Sequence, residues 1–148
     1  MGSSDRDDAN ARAASLRAAF FTGWTKQVGL EPVELTSSVV VAQWYADARH
    51  VQPHGIVHGG VYASVVETCC SVGALLAAPE GTIMVGVENH TSFLRPAREG
   101  RLTARAVPVQ VGRRAHLWEC NITDDAGRLI ASGRLRLMAT DAGSQASG

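Results

Sequence analysis

His58-Gly59-Gly60 runs directly into Val61-Tyr62-Ala63-Ser64-Val65-Val66-Glu67, which puts two side-chain-free amides at a helix start and one carboxylate two turns inside it. From Val61 to Ala78, Glu67 is the only charged residue. A lone ionisable group in an apolar helix is costly to desolvate, so it is either paired for structural reasons or used for its chemistry. Free glycine amides can approach a ligand closely, and the positive end of the helix dipole stabilises an oxyanion there. Ser64, Glu67 and Ser71 stand at i, i+3 and i+7 and so form one polar stripe, with Gln52 and His58 just upstream. Two plainer readings stay open at this level. Gly-Gly also serves as a loop-to-helix hinge, and a buried Glu can be satisfied by serine hydroxyls and a backbone group.

Other chemistries find less support in the residues. His54 and His58 are four apart, but Gly55 intervenes and no acidic or Cys partner stands at metal-ligand spacing, so no metal is expected. There is no Gly-x-Ser-x-Gly elbow, no phosphate loop with its Lys and no dinucleotide fingerprint. Arg113 and Arg114 follow Gly112 in what should be a hairpin tip, and Arg95 and Arg98 bracket Pro96. Each pair could hold the phosphates of a nucleotide-tailed substrate or simply be solvated turn charge.

The elements that must position these groups follow from periodicity and punctuation. Leu16, Phe20 and Trp24 recur at four-residue spacing, predicting an amphipathic helix from about Ala11 to Gln27 whose bulky stripe packs on a sheet. Val33 to Tyr45 reads as a hairpin turning at Thr36-Ser37-Ser38, and 46–57 as a loop with Pro53 and Gly55. After the apolar helix, broken by Pro79-Glu80-Gly81, four strands are expected over Thr82–Leu94, Arg101–Val111, Ala115–Thr123 and Arg128–Met138. The helix needs cover on most sides, so the expected fold is α+β, an antiparallel sheet curled around it. One domain is expected over 11–140, with a loose tail at 1–10 and another at 141–148.

Fourteen basic residues balance fourteen acidic ones, which argues against partners held by bulk positive potential, such as nucleic acid or a membrane surface. Residues 61–78 are barely long enough for a membrane span and carry a Glu midway, so a buried central helix is the better reading. Cys69, Cys70 and Cys120 make an odd, sparse count that reads as free thiols, and Met1 to Asp8 is charged where a signal peptide needs an apolar stretch. A cytoplasmic location is expected.

The stretch Gln52 to Glu67, followed by Asn89-His90-Thr91-Ser92-Phe93-Leu94-Arg95-Pro96, resembles the hotdog-fold acyl-CoA thioesterases. It looks closest to the phenylacetate-pathway type and to the 4-hydroxybenzoyl-CoA thioesterases with a helical Glu, and the likeness covers about residues 30–138. The resemblance implies a homodimer, often paired again into a homotetramer, with sites at the subunit interface and an acyl-CoA substrate hydrolysed without metal or cofactor. By position, Glu67 matches the nucleophile or general base, and Gly59 the amide that polarises the thioester carbonyl. Gln52, from the partner chain, matches a residue orienting substrate or water, and His58 one that shapes the glycine loop. Ser71 stands where relatives carry Thr. Gly60, Asn89, Arg95, Arg113 and Arg114 are the expected substrate contacts, and Tyr62 and Phe93 suit an apolar pocket for an aromatic or medium-sized acyl group. A hotdog-fold hydroxyacyl thioester dehydratase and a non-catalytic acyl-CoA-binding protein are the alternatives.

Overall fold

The computed structural model describes residues 3–140. The expected tail at 141–148 lies outside them. The chain runs α1 (Ser3–Phe20), α2 (Gly23–Val28), β1 (Glu31–Leu35), β2 (Val40–Ala46), α3 (Gly59–Ala77), β3 (Ile83–Phe93), β4 (Gly100–Val111), β5 (Ala115–Asp124) and β6 (Leu129–Thr140). All six strands form one antiparallel sheet in the order β1-β2-β4-β5-β6-β3, and the sheet wraps α3. This is the α+β arrangement expected from the element order, a sheet curled around one helix, and it has the form that the resemblance to hotdog proteins implies.

Alternation explains how the sheet grips the helix. In β2, Val40, Ala42, Trp44 and Ala46 turn inward; in β6, Leu135 and Leu137 turn inward while Arg134, Arg136 and Met138 face out. The buried residues of α3 include Val61, Val65, Val66, Cys69 and Val72, and they close the core against Trp118, Ile122 and Leu137. Gly73 of α3 lies flat on the Trp118 ring, in space that any Cβ would fill. By length and composition α3 could cross a membrane, yet its apolar face is spent on the sheet.

The turns obey their residues. The Thr36 hydroxyl accepts the amides of Ser38 and Val39 in the β1–β2 turn, and Asp124 accepts those of Ala126 and Arg128 before β6. The two sheet edges differ. β1 is five residues long and carries Pro32 with a register shift beside it, whereas β3 is eleven residues long, contains no proline and has its register shift between Gly86 and Glu88.

Two expectations at the N-terminus are corrected. Helix begins at Ser3, so residues 3–10 are not a loose tail, and the single helix to Gln27 is broken between Phe20 and Gly23, where Gly23 takes φ +52°. The first helix packs on α3 rather than on the sheet. Arg12 donates to the carbonyls of Leu75 and Ala78, satisfying C-terminal carbonyls that α3 leaves free. Beyond the break Trp24 leaves the Leu16–Phe20 stripe and stands 61% exposed.

Candidate active site

The start of α3 is shaped by His58. Its backbone is extended, and its Nδ1 accepts the Gly60 amide at 2.9 Å. The Gly60 N–H is therefore already committed, so of the two glycine amides it is not the one free to donate to a ligand. The Gly59 N–H has no acceptor among the described residues and sits at the positive end of a 19-residue helix. The Phe93 ring lies where a Gly59 Cβ would be, so only glycine fits there.

The loop leading to this point is braced throughout. Val57 N–H donates to Ala97, His58 N–H to His50, and Gln52 N–H to Ile56. The Gln52 side-chain oxygen accepts the His54 amide. His50 itself is buried, with Nδ1 accepting from Asp47 N–H and Nε2 at 2.8 Å from the Val28 carbonyl. It ties the loop to the end of α2, a role no sequence pattern announces. Gln52 and Gly59 line one cavity of about 400 Å³ with Tyr62, Phe93 and Leu94, and Arg95 is at its lining too. The Tyr62 hydroxyl there is buried without a hydrogen-bond partner, and desolvation pushes its pKa up to about 12.

Glu67 belongs to a second cavity of about 340 Å³, which it lines with Ser64, Thr68 and Ser71 of α3 and with Phe20 and Trp24. The i, i+3, i+7 stripe is thus assembled as expected. Its surroundings are not: within one chain Glu67 is exposed rather than desolvated in an apolar helix. The unburied stripe Gly60, Ala63, Ser64, Glu67, Thr68, Ser71 faces away from the sheet. Ser64 and Thr68 return their hydroxyls to the carbonyls of Val61 and Ser64, so Ser71 has the one stripe hydroxyl without a bond among the described residues. Asn89 stands behind this stripe. One N–H of its amide donates to the Ala63 carbonyl and its oxygen accepts from Thr91, so it braces the turn that carries Glu67.

Helix geometry separates the two groups. Gly59 and Glu67 are eight residues apart, roughly 12 Å along the axis. An amide within about 3 Å of a carbonyl oxygen and a carboxylate within about 3.5 Å of its carbon cannot come from those two positions of one helix. Arg113 and Arg114 are also remote. They are exposed at the β4–β5 tip beside Ala139, the end of the sheet where β3 begins, whereas Phe93 and Gly59 lie where β3 ends, about 30 Å away along the strand. Among the described residues no three His, Cys, Asp or Glu side chains cluster as a metal site would need.

Residues 54–131 match the family model described as "Thioesterase superfamily". The chain belongs to this superfamily. It is similar to the proofreading thioesterase EntH of Klebsiella pneumoniae, with 31% identity over 122 residues, 82% of this chain and 89% of that one. A solved thioesterase of Haemophilus influenzae superposes with TM-score 0.80 at 31% identity, covering 85% of this chain and 88% of that one. A Staphylococcus aureus thioesterase, 25% identical over 80% of this chain and 98 to 99% of its own, superposes with TM-scores of 0.76 and 0.77. It was solved in two variants, with a Glu or a Gln replaced by Ala, and those positions are separated as Gln52 and Glu67 are here. This thioesterase is accordingly a hotdog-fold thioester hydrolase.

Proposed function

We propose that this thioesterase hydrolyses an acyl-CoA at a site shared by two chains. Gln52 and Gly59 come from one chain, and Glu67 and Ser71 from its partner. The observation that carries the reading is the free Gly59 N–H at the start of α3, with its neighbour Gly60 held back by His58. The thioester carbonyl oxygen accepts from Gly59, and the helix dipole takes up negative charge as the carbonyl carbon becomes tetrahedral. Glu67 of the partner either attacks that carbon, giving a mixed anhydride that water opens, or removes a proton from an attacking water. Either route ends in free acid and CoA thiol and calls for no cofactor. The Ser71 hydroxyl, one turn beyond Glu67, is available to hold the water, and Gln52 orients the thioester.

The roughly 12 Å separation argued above supports a site built from two chains. Antiparallel pairing of α3 with its copy would level Gly59 of one with Glu67 of the other. The helices would then cross near Ala63, where Gly60, Ala63 and Ser64 permit close approach. The long β3 edge can join its copy to continue the sheet, and a homotetramer would pair two such dimers. In this reading Tyr62 and Phe93 flank the carbonyl, while Arg113 and Arg114 reach CoA phosphates only across the two-fold axis. Three buried free thiols suit a reducing, cytoplasmic setting.

Release of CoA thiol across a panel of acyl-CoAs tests the activity, with Glu67→Gln as the decisive variant. Its kcat should fall at least roughly a hundredfold, because the carboxylate acts in the transition state, and the fold should be unchanged because the side chain is exposed. Wild-type turnover in that variant would remove Glu67 from the reaction.

A further inference from the structure

We propose that the cavity beside Gly59 reads a second carboxylate on the acyl group, so that the substrate of this thioesterase is the mono-CoA thioester of a dicarboxylic acid, selected by Tyr62 and Arg95. The proposal rests on the acyl-CoA reading above and deepens it. With the thioester carbonyl at the Gly59 amide, the wall next to it is mostly apolar, formed by Ile56, Val57, Phe93, Leu94 and Pro96, which suits the hydrocarbon part of an acyl arm. Set in that wall are Gln52, Tyr62 and Arg95, and each has an unspent donor. The Gln52 oxygen already accepts the His54 amide, which leaves its amide nitrogen. The Arg95 guanidinium has no carboxylate partner among the described residues, and no acidic side chain lines the cavity.

Tyr62 is the least ordinary of the three. It is 2% exposed, yet its hydroxyl has no hydrogen-bond partner, a state that a folded chain keeps only at a cost. The phenol end lies beside the backbone of Ala97, two residues from Arg95, so both donors border the Arg95–Ala97 segment. Because desolvation raises its pKa, the hydroxyl stays a neutral donor wherever the enzyme works. The neighbouring Phe93 ring, centred 5.9 Å away and 59% exposed, is free to turn and admit an acyl arm. A carboxylate accepts hydrogen bonds and donates none, so it satisfies a hydroxyl and a guanidinium together. A plain hydrocarbon arm would leave the Tyr62 hydroxyl unpaired in the complex as well, and sites of that kind discriminate against a ligand that lacks the matching group. A hydroxyl-bearing arm would bring one more proton to a wall already rich in donors.

The experiment compares kcat/KM for adipoyl-CoA, hexanoyl-CoA and 6-hydroxyhexanoyl-CoA, three arms of one length, in wild type, Tyr62→Phe and Arg95→Gln. Ratios are taken within each protein, so a change common to all substrates cancels. Wild type should favour adipoyl-CoA over hexanoyl-CoA, and Tyr62→Phe should cut that ratio about tenfold, the worth of a hydrogen bond to a charged group. Arg95→Gln should cut it about fivefold at low salt and less at high salt, as an exposed ion pair does. Thermal unfolding of Tyr62→Phe should come no earlier than in wild type, since only an unpartnered hydroxyl is lost. Binding of S-(5-carboxypentyl)-CoA against S-hexyl-CoA, thioethers that cannot be hydrolysed, should show the same two losses without turnover. No preference for the carboxylated arm in wild type, or one that survives both substitutions, would overturn the proposal. So would a Tm several degrees lower in Tyr62→Phe, which would give the hydroxyl a structural bond, and so would a preference for 6-hydroxyhexanoyl-CoA that depends on Tyr62 alone. Failure of the underlying reading looks different: no turnover of any acyl-CoA by wild type, or full turnover by Glu67→Gln, would reject the hydrolysis reading, while the thioether comparison still decides what the cavity selects.

Discussion

If each site takes Gln52 and Gly59 from one chain and Glu67 from another, two defective proteins can repair each other. Gln52→Ala and Glu67→Gln subunits mixed in equal amounts and allowed to exchange give half mixed dimers. In a mixed dimer one site combines both lesions, and the other combines the intact Gln52 of the second chain with the intact Glu67 of the first. About a quarter of all sites in the mixture are then wild type in composition. With Glu67→Gln reduced about a hundredfold and Gln52→Ala about tenfold, the parents average roughly 5% of wild-type rate, so recovery to about 25% is a fivefold signal. Thiol release before and after exchange measures it. Isolating mixed dimers through two different affinity tags should raise the figure to about half. An exchanged mixture that stays at the mean of its parents would refute the shared site. The 12 Å argument would then have to fail through a large rearrangement of the α3 start.

Two stability predictions follow from individual contacts. Gly73→Ala would drive a methyl into the fully buried Trp118 ring, an overpacking worth about 1–3 kcal/mol, and thermal unfolding should fall by several degrees; an unchanged Tm would show that the helix can shift off the sheet at little cost. His116 is buried with an unpartnered Nδ1, and desolvation holds its pKa below the usual histidine value. The folded state therefore binds fewer protons than the unfolded one in that range, so the contribution of His116 is complete above about pH 6.5 and is lost as pH falls through the depressed folded value. Tm should drop between pH 7 and 5, with a smaller drop in His116→Leu; parallel curves for the two proteins would exclude this histidine as the cause.

The order of elements was legible because punctuation and alternation are local. Pro79-Glu80-Gly81, the Asp124–Gly127 turn and the Leu135/Leu137 alternation act at their own positions, and each forms where expected. The Gln52, Gly59, Glu67 and Ser71 pattern was legible as spacing, and the structure places all four on accessible walls of two cavities. What spacing could not show was which hydrogen-bonding groups were already spent. The Gly60 amide is taken by His58 and one N–H of the Asn89 side chain by Ala63, and both bonds depend on how a loop or strand arrives. Glu67 looked buried because α3 is apolar, but its polar stripe is the side the sheet does not reach. The helix break at Phe21-Thr22-Gly23 was hidden by a four-residue periodicity that runs straight through it. His50 gave no signal, since a histidine that joins a loop to a distant carbonyl has no spacing to betray it.

The unequal edges of the sheet bear on how far assembly can go. A strand edge is a template, and an unprotected one recruits the next copy until something stops it. Here β1 is short, interrupted by Pro32 and carries Glu31 and Glu34, so it offers a poor template. Only β3 offers a long one. Two copies joined through β3 would each turn their blunt β1 edge outward, and the doubled sheet would be capped at both ends. Growth by strand addition is then self-limiting: one pairing event consumes the adhesive edge of both partners, and a filament has no end from which to grow.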